Sequence, residues 1–316
     1  MDPVLIIVLC VAAVIALLVV PMLIVTLPIA KRVYNHTLVR TDQEKWGRCC
    51  SDTTNEEQVQ MWDTGCQWAE KYKNNMKEVS VENEGLKLFG EYYDFGSDKC
   101  VIVLPGRCES LMYSYYFAEP YRKAGCNVLV IDARAHGKSD GIYTTVGTKE
   151  GSDVREWIRF LENEQNIHKI YFHSLCLGTG AALVVMSQKN APDSVKGLIT
   201  EGCYTSFREV YKQHMVDDNR PLFPVLDMVM MKLRIHGAKI STHAPIRLVK
   251  RIKQPILFLY SRKDKFSLPE KSVKLFSSCS SEDKKLIWFD EGAHSHIRIN
   301  NTEKYDNTIG EFLKTH

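Results

Sequence analysis

The run His173-Ser174-Leu175-Cys176-Leu177-Gly178-Thr179-Gly180 lies between a short apolar, β-rich stretch at 170–172 and the helix-forming Ala181-Ala182-Leu183. A sharp strand-to-helix turn can hold a nucleophile at its apex, but only if the residues two before and two after it are small, because the backbones close together there. Centred on Cys176, those flanking residues are Ser174 and Gly178, both small. Centred on Ser174, they are Phe172 and Cys176, and the phenyl ring does not fit. The spacing selects Cys176 over Ser174. The plainer alternative is a non-catalytic turn whose cysteine is a small buried hydrophobe. At such an apex the sulfur opens a helix, where the dipole and the first free N–H groups favour an anion. A free thiol titrates near ~8.5 and attacks only as thiolate, so the turn needs a proton acceptor within reach.

The chain that must position this group has 316 residues, 45% hydrophobic and 25% charged, which is ordinary globular usage and excludes a disordered or fibrous protein. Lys plus Arg is 41 against 38 Asp plus Glu, a net charge of +3. That balance gives no reason to expect nucleic acid, whose readers carry a strongly basic face. The 10 cysteines are too sparse for a disulfide scaffold, and none pair as C-x-x-C. A reducing compartment is the simpler expectation, with no metal and no cofactor required. There is no internal repeat or low-complexity run.

Residues 1–30 read as a transmembrane anchor. Val4 to Ala30 contains no charge, and as a helix it would be roughly 40 Å long, enough to cross a hydrocarbon core of ~30 Å with some tilt. A cleaved signal peptide is the rival, but it needs a positive leading end and an apolar stretch of about 7–15 residues, whereas this chain starts Met1-Asp2-Pro3 and runs longer. Lys31, Arg32 and Arg40 follow the segment. The positive-inside rule then places the remainder in the cytoplasm as a single-pass protein. Residues 31–76 read as a polar, mostly helical connector, with Gln58, Met61, Trp62, Gly65, Trp68 and Tyr72 at partial helical spacing.

From Glu78 onward strands and helices alternate. Val79-Ser80-Val81 and Leu86-Lys87-Leu88-Phe89 form a hairpin around Asn83-Glu84-Gly85. Apolar strand runs follow at 100–104, 128–131, 170–172, 198–200, 256–260 and 286–289, with amphipathic stretches between them such as 151–161. Continuous apolar strands separated by helices imply a mostly parallel sheet covered on both faces, an α/β domain spanning 77–316. Residues 204–250 exceed a plain connection, and the apolar positions from Leu222 to Leu233 could roof the site as a cap.

VIVLPG at 101–106, NVLVIDARAHGKSDG at 127–141, SLCLGTG at 174–180 and SRKDKFSLP at 261–269 resemble an α/β-hydrolase. More narrowly, the chain is similar to the serine-aminopeptidase-like group that includes membrane-anchored bacterial hydrolases. The resemblance covers 77–316 and implies the α/β-hydrolase fold preceded by one transmembrane helix. Two positions depart from the pattern: Cys176 stands where the family has serine, and Ser174 where it has glycine. Cysteine elbows occur elsewhere in the fold, as in dienelactone hydrolases.

The resemblance also implies the order nucleophile, acid, histidine. Asp264 falls in the loop after the 256–260 strand, where the acid is expected, just before a capping box at Ser267-Leu268-Pro269-Glu270. Glu201 is the reserve acid. Gly292-Ala293-His294 matches the family's histidine pattern, with His296 the fallback base. Backbone N–H groups of Leu177 and Arg107 are expected to form the oxyanion hole, while the Arg107 side chain and Glu109 either touch substrate or are solvated surface charge. The expected function is a membrane-anchored hydrolase of ester or thioester acyl substrates through a Cys176-His294-Asp264 triad. The alternatives are an acyltransferase to an amine or alcohol and a non-catalytic protein that retains the fold.

Overall fold

The computed structural model describes residues 2–316. Its strands are β1 (Met76–Asn83), β2 (Leu86–Tyr93), β3 (Lys99–Leu104), β4 (Asn127–Ile131), β5 (Lys169–Leu175), β6 (Val195–Glu201), β7 (Ile256–Ser261) and β8 (Lys284–Phe289). They form one sheet in the order β1-β2-β4-β3-β5-β6-β7-β8. From β4 to β8 all neighbours are parallel, and β1 and β2 add an antiparallel edge. The β1–β2 turn has Glu84 at φ 51° and Gly85 at φ 74°. Positive φ at both central residues matches the right-handed twist of the flanking strands. The central strands are apolar on both faces because helices cover both, as a parallel sheet requires.

The helices are α1 (Pro3–Leu38), α2 (Glu56–Lys71), α3 (Leu111–Ser114), α4 (Glu119–Lys123), α5 (Thr148–Asn163), α6 (Leu177–Met186), α7 (Phe207–Asp217), α8 (Val225–Ile235), α9 (Pro245–Leu248), α10 (Pro269–Ser278), α11 (Ile297–Asn300) and α12 (Thr302–Thr315). On one face of the sheet, α5, α6, α9 and α10 pack through residues such as Trp157, Ala182, Leu248 and Leu275. The other face takes α2, α4 and α12 through Met61, Trp68, Tyr121, Tyr305 and Phe312. A third apolar cluster joins α7, α8 and the end of α1 to Leu177, the first residue of α6.

Two expected boundaries differ in the structure. The helix does not end with the apolar segment at residue 30: α1 continues as one helix of 36 residues, and Ala30, Tyr34 and Leu38 are buried. Nor is 31–76 a polar connector. Residues 39–55 are largely irregular, while α2 buries Met61, Gly65 and Trp68 against the sheet. Its helical spacing of large residues marked a core face, and Asn55 caps its start by accepting from the Gln58 N–H at 3.2 Å. Arg48, in the irregular stretch, forms ion pairs with Asp132 at 2.9 Å and Glu91 at 3.1 Å. The folded body therefore begins well before residue 77.

Candidate active site

Cys176 lies between β5 and α6 with φ 45° and ψ −111°. This is outside the basins an L-residue prefers and costs on the order of 1–3 kcal/mol, so the surroundings must hold it. Its N–H donates to the Glu201 carbonyl at 3.1 Å, and the Thr179 N–H donates to its carbonyl at 3.2 Å. A Cβ on Gly178 would lie 2.4 Å from the Leu104 carbonyl oxygen and 2.7 Å from that of Pro105. The start of α6 is thus pressed onto the end of β3, which is why the second position after the apex has to be glycine. Ser174 is fully buried, its hydroxyl 3.0 Å from that of Thr179, which in turn lies 2.8 Å from that of Thr200. That hydroxyl chain ties β5, α6 and β6 together and keeps Ser174 away from any opening. Cys176 itself is half-buried.

Asp264 and His294 arrive from the loops after β7 and β8. The His294 Nδ1–H donates to Asp264 Oδ2 at 2.8 Å, and Asp264 Oδ1 accepts the N–H groups of Phe266 and Ser267, both at 2.8 Å. Burial would raise the Asp264 pKa, but the charge and hydrogen bond of His294 and the two N–H donors hold it below the usual carboxylate range. Burial pulls His294 the other way, down. The charge of Cys176, followed by the charge and hydrogen bond of Asp264, outweighs burial and holds the imidazole well above its ordinary value. His294 Nε2 is buried without a partner at normal hydrogen-bond geometry, and the Cys176 side chain is the group that acts on it from that side.

The reserve residues point elsewhere. Glu201 accepts from the Ile297 N–H at 3.1 Å and the Tyr305 hydroxyl at 2.6 Å, not from His294. Burial, only partly offset by those donors, pushes its carboxyl up to about 7. His296 places Nδ1 3.0 Å from Glu57 Oε2 and Nε2 2.6 Å from Gln58 Oε1, so α2 occupies both ring nitrogens. The expected capping box is absent: α10 starts at Pro269 behind Leu268, and the Ser267 hydroxyl instead donates to the Gly202 carbonyl at 2.7 Å. Asp264 already occupies the Ser267 N–H, and the serine is better used in tying the acid's loop to the end of β6.

Arg107 and Leu177 line one cavity of about 40 Å3 together with Gly106 and Gly178. The Glu109 carboxylate is not solvated surface charge: it accepts the Gly106 N–H at 2.8 Å. Burial raises its pKa, against the Gly106 N–H and the charges of His294 and Arg107. The other side of the site is closed by α7, where the His214 ring stacks on Phe266 at 4.2 Å and Phe266 meets His294 edge-on at 5.4 Å. Burial, then the charges of Arg107 and His294, lower His214 to about 4. No local pattern marked His214, because only the packing of α7 over the β7 loop brings it here.

The comparisons with known proteins agree with this architecture. The alpha/beta hydrolase fold family matches residues 99–212. The Bacillus subtilis protein YqkD is 26% identical over 219 residues, covering 67% of this chain and 70% of its own. The Saccharomyces cerevisiae membrane protein YNL320W is 26% identical over 193 residues, 61% of this chain and 62% of its own, so less than two thirds of that relative is spanned. Among solved structures, the Pyrococcus furiosus esterase Pf2001 superposes with a TM-score of 0.66 at 25% identity, covering 78% of this chain and 93% of that one. The chain has the α/β-hydrolase fold, preceded by one N-terminal helix long and apolar enough to cross a membrane.

Proposed function

We propose that this protein is a membrane-anchored acyl hydrolase that cleaves ester or thioester bonds through an acyl-cysteine intermediate. The observation that carries the reading is the His294 ring, fixed to Asp264 through Nδ1, with Cys176 on the strained turn as the side chain that acts on its other nitrogen. The Cys176 proton passes to His294 Nε2, and Sγ attacks the acyl carbonyl carbon. Backbone N–H groups of Leu177 and Arg107 receive the developing oxyanion, an interaction whose removal costs roughly 3–4 kcal/mol per donor in comparable sites. His294 then protonates the departing alkoxide or thiolate, leaving the acyl group on sulfur. Water attacks that thioester with His294 accepting its proton, and the carboxylic acid and free thiol are restored. Asp264 keeps the imidazole in the right tautomer and stabilises its charged form.

The esterase activity named for the Pyrococcus furiosus relative supports the bond class. The membrane name of the yeast relative and the hydropathy of α1, 3.3 over its most apolar window, support anchoring. Lys31, Arg32 and Arg40 after the span support a cytoplasmic position for the catalytic body. The test measures turnover of p-nitrophenyl esters and acyl thioesters of graded length by the full chain in detergent micelles. Activity should appear in the wild type and vanish in Cys176→Ala. Turnover that survives that substitution unchanged rejects the nucleophile, and product formed only when an amine is added rejects hydrolysis.

A further inference from the structure

The last turns of α1 bury Ala30, Tyr34 and Leu38 in the cluster that includes Leu177, and Cys176 packs against that same cluster. The loop joining α7 to α8 meets α1 from the side. Asn219, Arg220 and Pro221 share with Pro28, Ile29, Lys31 and Arg32 a groove of about 1150 Å3. Val33 lines the groove and also packs on the cluster. Through Val33 the wall of the groove touches the same buried cluster that Cys176 packs against.

The groove is graded in chemistry. Pro28 and Ile29 end the apolar span, and Lys31 and Arg32 are exposed immediately after it. Arg220 joins them from the opposite wall, with Asp218 3.0 Å from its guanidinium. Asp42 and Glu44 also line the groove, but so does Lys45, which leaves the cations in excess. Two residues beyond Pro221, Phe223 is 78% exposed. A water-soluble anion would use the cationic rim and leave this apolar wall bare. An amphiphile with a negative headgroup covers both, and the rim stands where α1 would leave the hydrocarbon, at the depth of lipid headgroups.

We infer that this groove seats an anionic membrane lipid, its headgroup against Lys31, Arg32 and Arg220 and its acyl tail directed along α1 toward Cys176. The substrate class is then bilayer-resident acyl amphiphiles, an assignment that rests on the acyl-hydrolase reading, whereas the seat itself is a matter of binding.

The test puts the full chain carrying Cys176→Ala, which cannot consume the probe, into phosphatidylcholine nanodiscs. Energy transfer from its tryptophans reports binding of pyrene-labelled phosphatidylglycerol and, separately, of pyrene-labelled phosphatidylcholine. The anionic probe should be enriched at least about fivefold, given roughly 1 kcal/mol per cation near a charged headgroup. Lys31→Gln, Arg32→Gln and Arg220→Gln together should bring the ratio to about one. Arg220→Gln alone, which keeps the charges flanking the span, should lower it about two- to threefold. Equal transfer from both probes, or a preference that survives the triple substitution, overturns the seat. Displacement by inorganic phosphate at millimolar concentration overturns the lipid in favour of a free-anion site. The wild-type chain should cleave the phosphatidylglycerol probe faster than the phosphatidylcholine probe, and equal rates overturn the substrate assignment. Turnover of a soluble short-chain thioester is measured alongside. Its absence counts against the hydrolase reading, while the binding ratio alone decides the groove.

Discussion

The Tyr211 hydroxyl, on α7, lies 2.6 Å from the hydroxyl of Thr37, on the last full turn of α1. Thr37 already donates to the Val33 carbonyl at 2.7 Å, so Tyr211 is the donor of the pair. The N-terminal helix and the segment that covers the site are thus joined by a polar contact as well as by their shared apolar cluster. Tyr211→Phe removes the donor and leaves Thr37 satisfied. It should lower stability by about 1 kcal/mol and speed amide exchange in 207–235, with exchange in β3 to β7 unchanged. Equal acceleration throughout the sheet would mean that the contact does not tie the cover locally.

Thiol reactivity separates a poised sulfur from an inert one. Iodoacetamide should label Cys176 faster than the other accessible thiols outside the membrane span, Cys49, Cys50, Cys66 and Cys108. His294→Ala should slow labelling of Cys176 roughly tenfold by removing its proton acceptor. Peptide mapping by mass spectrometry reads both rates. Uniform labelling of all five thiols would indicate that the turn confers nothing.

Asp264→Asn keeps the shape of the acid and removes its charge. In a triad the same change lowers kcat about 10⁴-fold by favouring the wrong tautomer. A loss of 10²–10⁴ is expected here, with the His294 resonance titrating at a lower pH than in the wild type. A loss of activity with an unchanged imidazole titration would show that Asp264 acts only by holding its loop.

Gly178→Ala tests the close approach of α6 to β3. With carbonyl oxygens 2.4 Å and 2.7 Å from the new methyl carbon, helix or strand has to move. A destabilisation of about 1–3 kcal/mol follows, as for overpacking elsewhere. Gly310, where a Cβ would meet nothing within 4 Å, is the control, and Gly310→Ala in α12 should be neutral or stabilising. Urea midpoints of the two variants make the comparison.

His173 sets part of the acid stability. It is fully buried in β5, sharing a hydrogen bond of 2.6 Å with Tyr121. Burial, with the Arg298 charge adding to it, lowers its pKa to about 3. The unfolded chain takes up this proton near pH ~6.5 and the folded chain does not, so the contribution is complete above that pH and is lost as pH falls toward 3. Between pH 7.5 and 4.5 the loss from this group is about 2–3 kcal/mol. His173→Phe should reduce the fall in urea midpoint over that interval. An undiminished fall would assign the acid sensitivity to other groups.

Much of this protein could be read from local pattern. Strands buried on both faces leave unbroken apolar runs, so β3 to β7 were visible at 100–104, 128–131, 170–172, 198–200 and 256–260, and the half-buried edge strand β8 still showed at 286–289. A turn that brings backbones into contact tolerates only small residues, so Ser174 and Gly178 pointed to Cys176. The apolar length of α1 was equally plain. These features are short-range, each set by a residue and its near neighbours.

Tertiary structure decided which of the rival groups meet. Glu201 ends β6 and Asp264 lies in the loop just after β7, and His294 and His296 are two residues apart. Only the packing of α2, α11 and α12 sends Glu201 to Ile297 and Tyr305 and occupies His296 with Glu57 and Gln58, leaving Asp264 and His294 to each other. The same limit hid His214 beside Phe266 and the end of α1 as a wall of the cover. Each depends on groups far apart in the chain, and hydrogen-bond partners at that separation leave no periodicity to read.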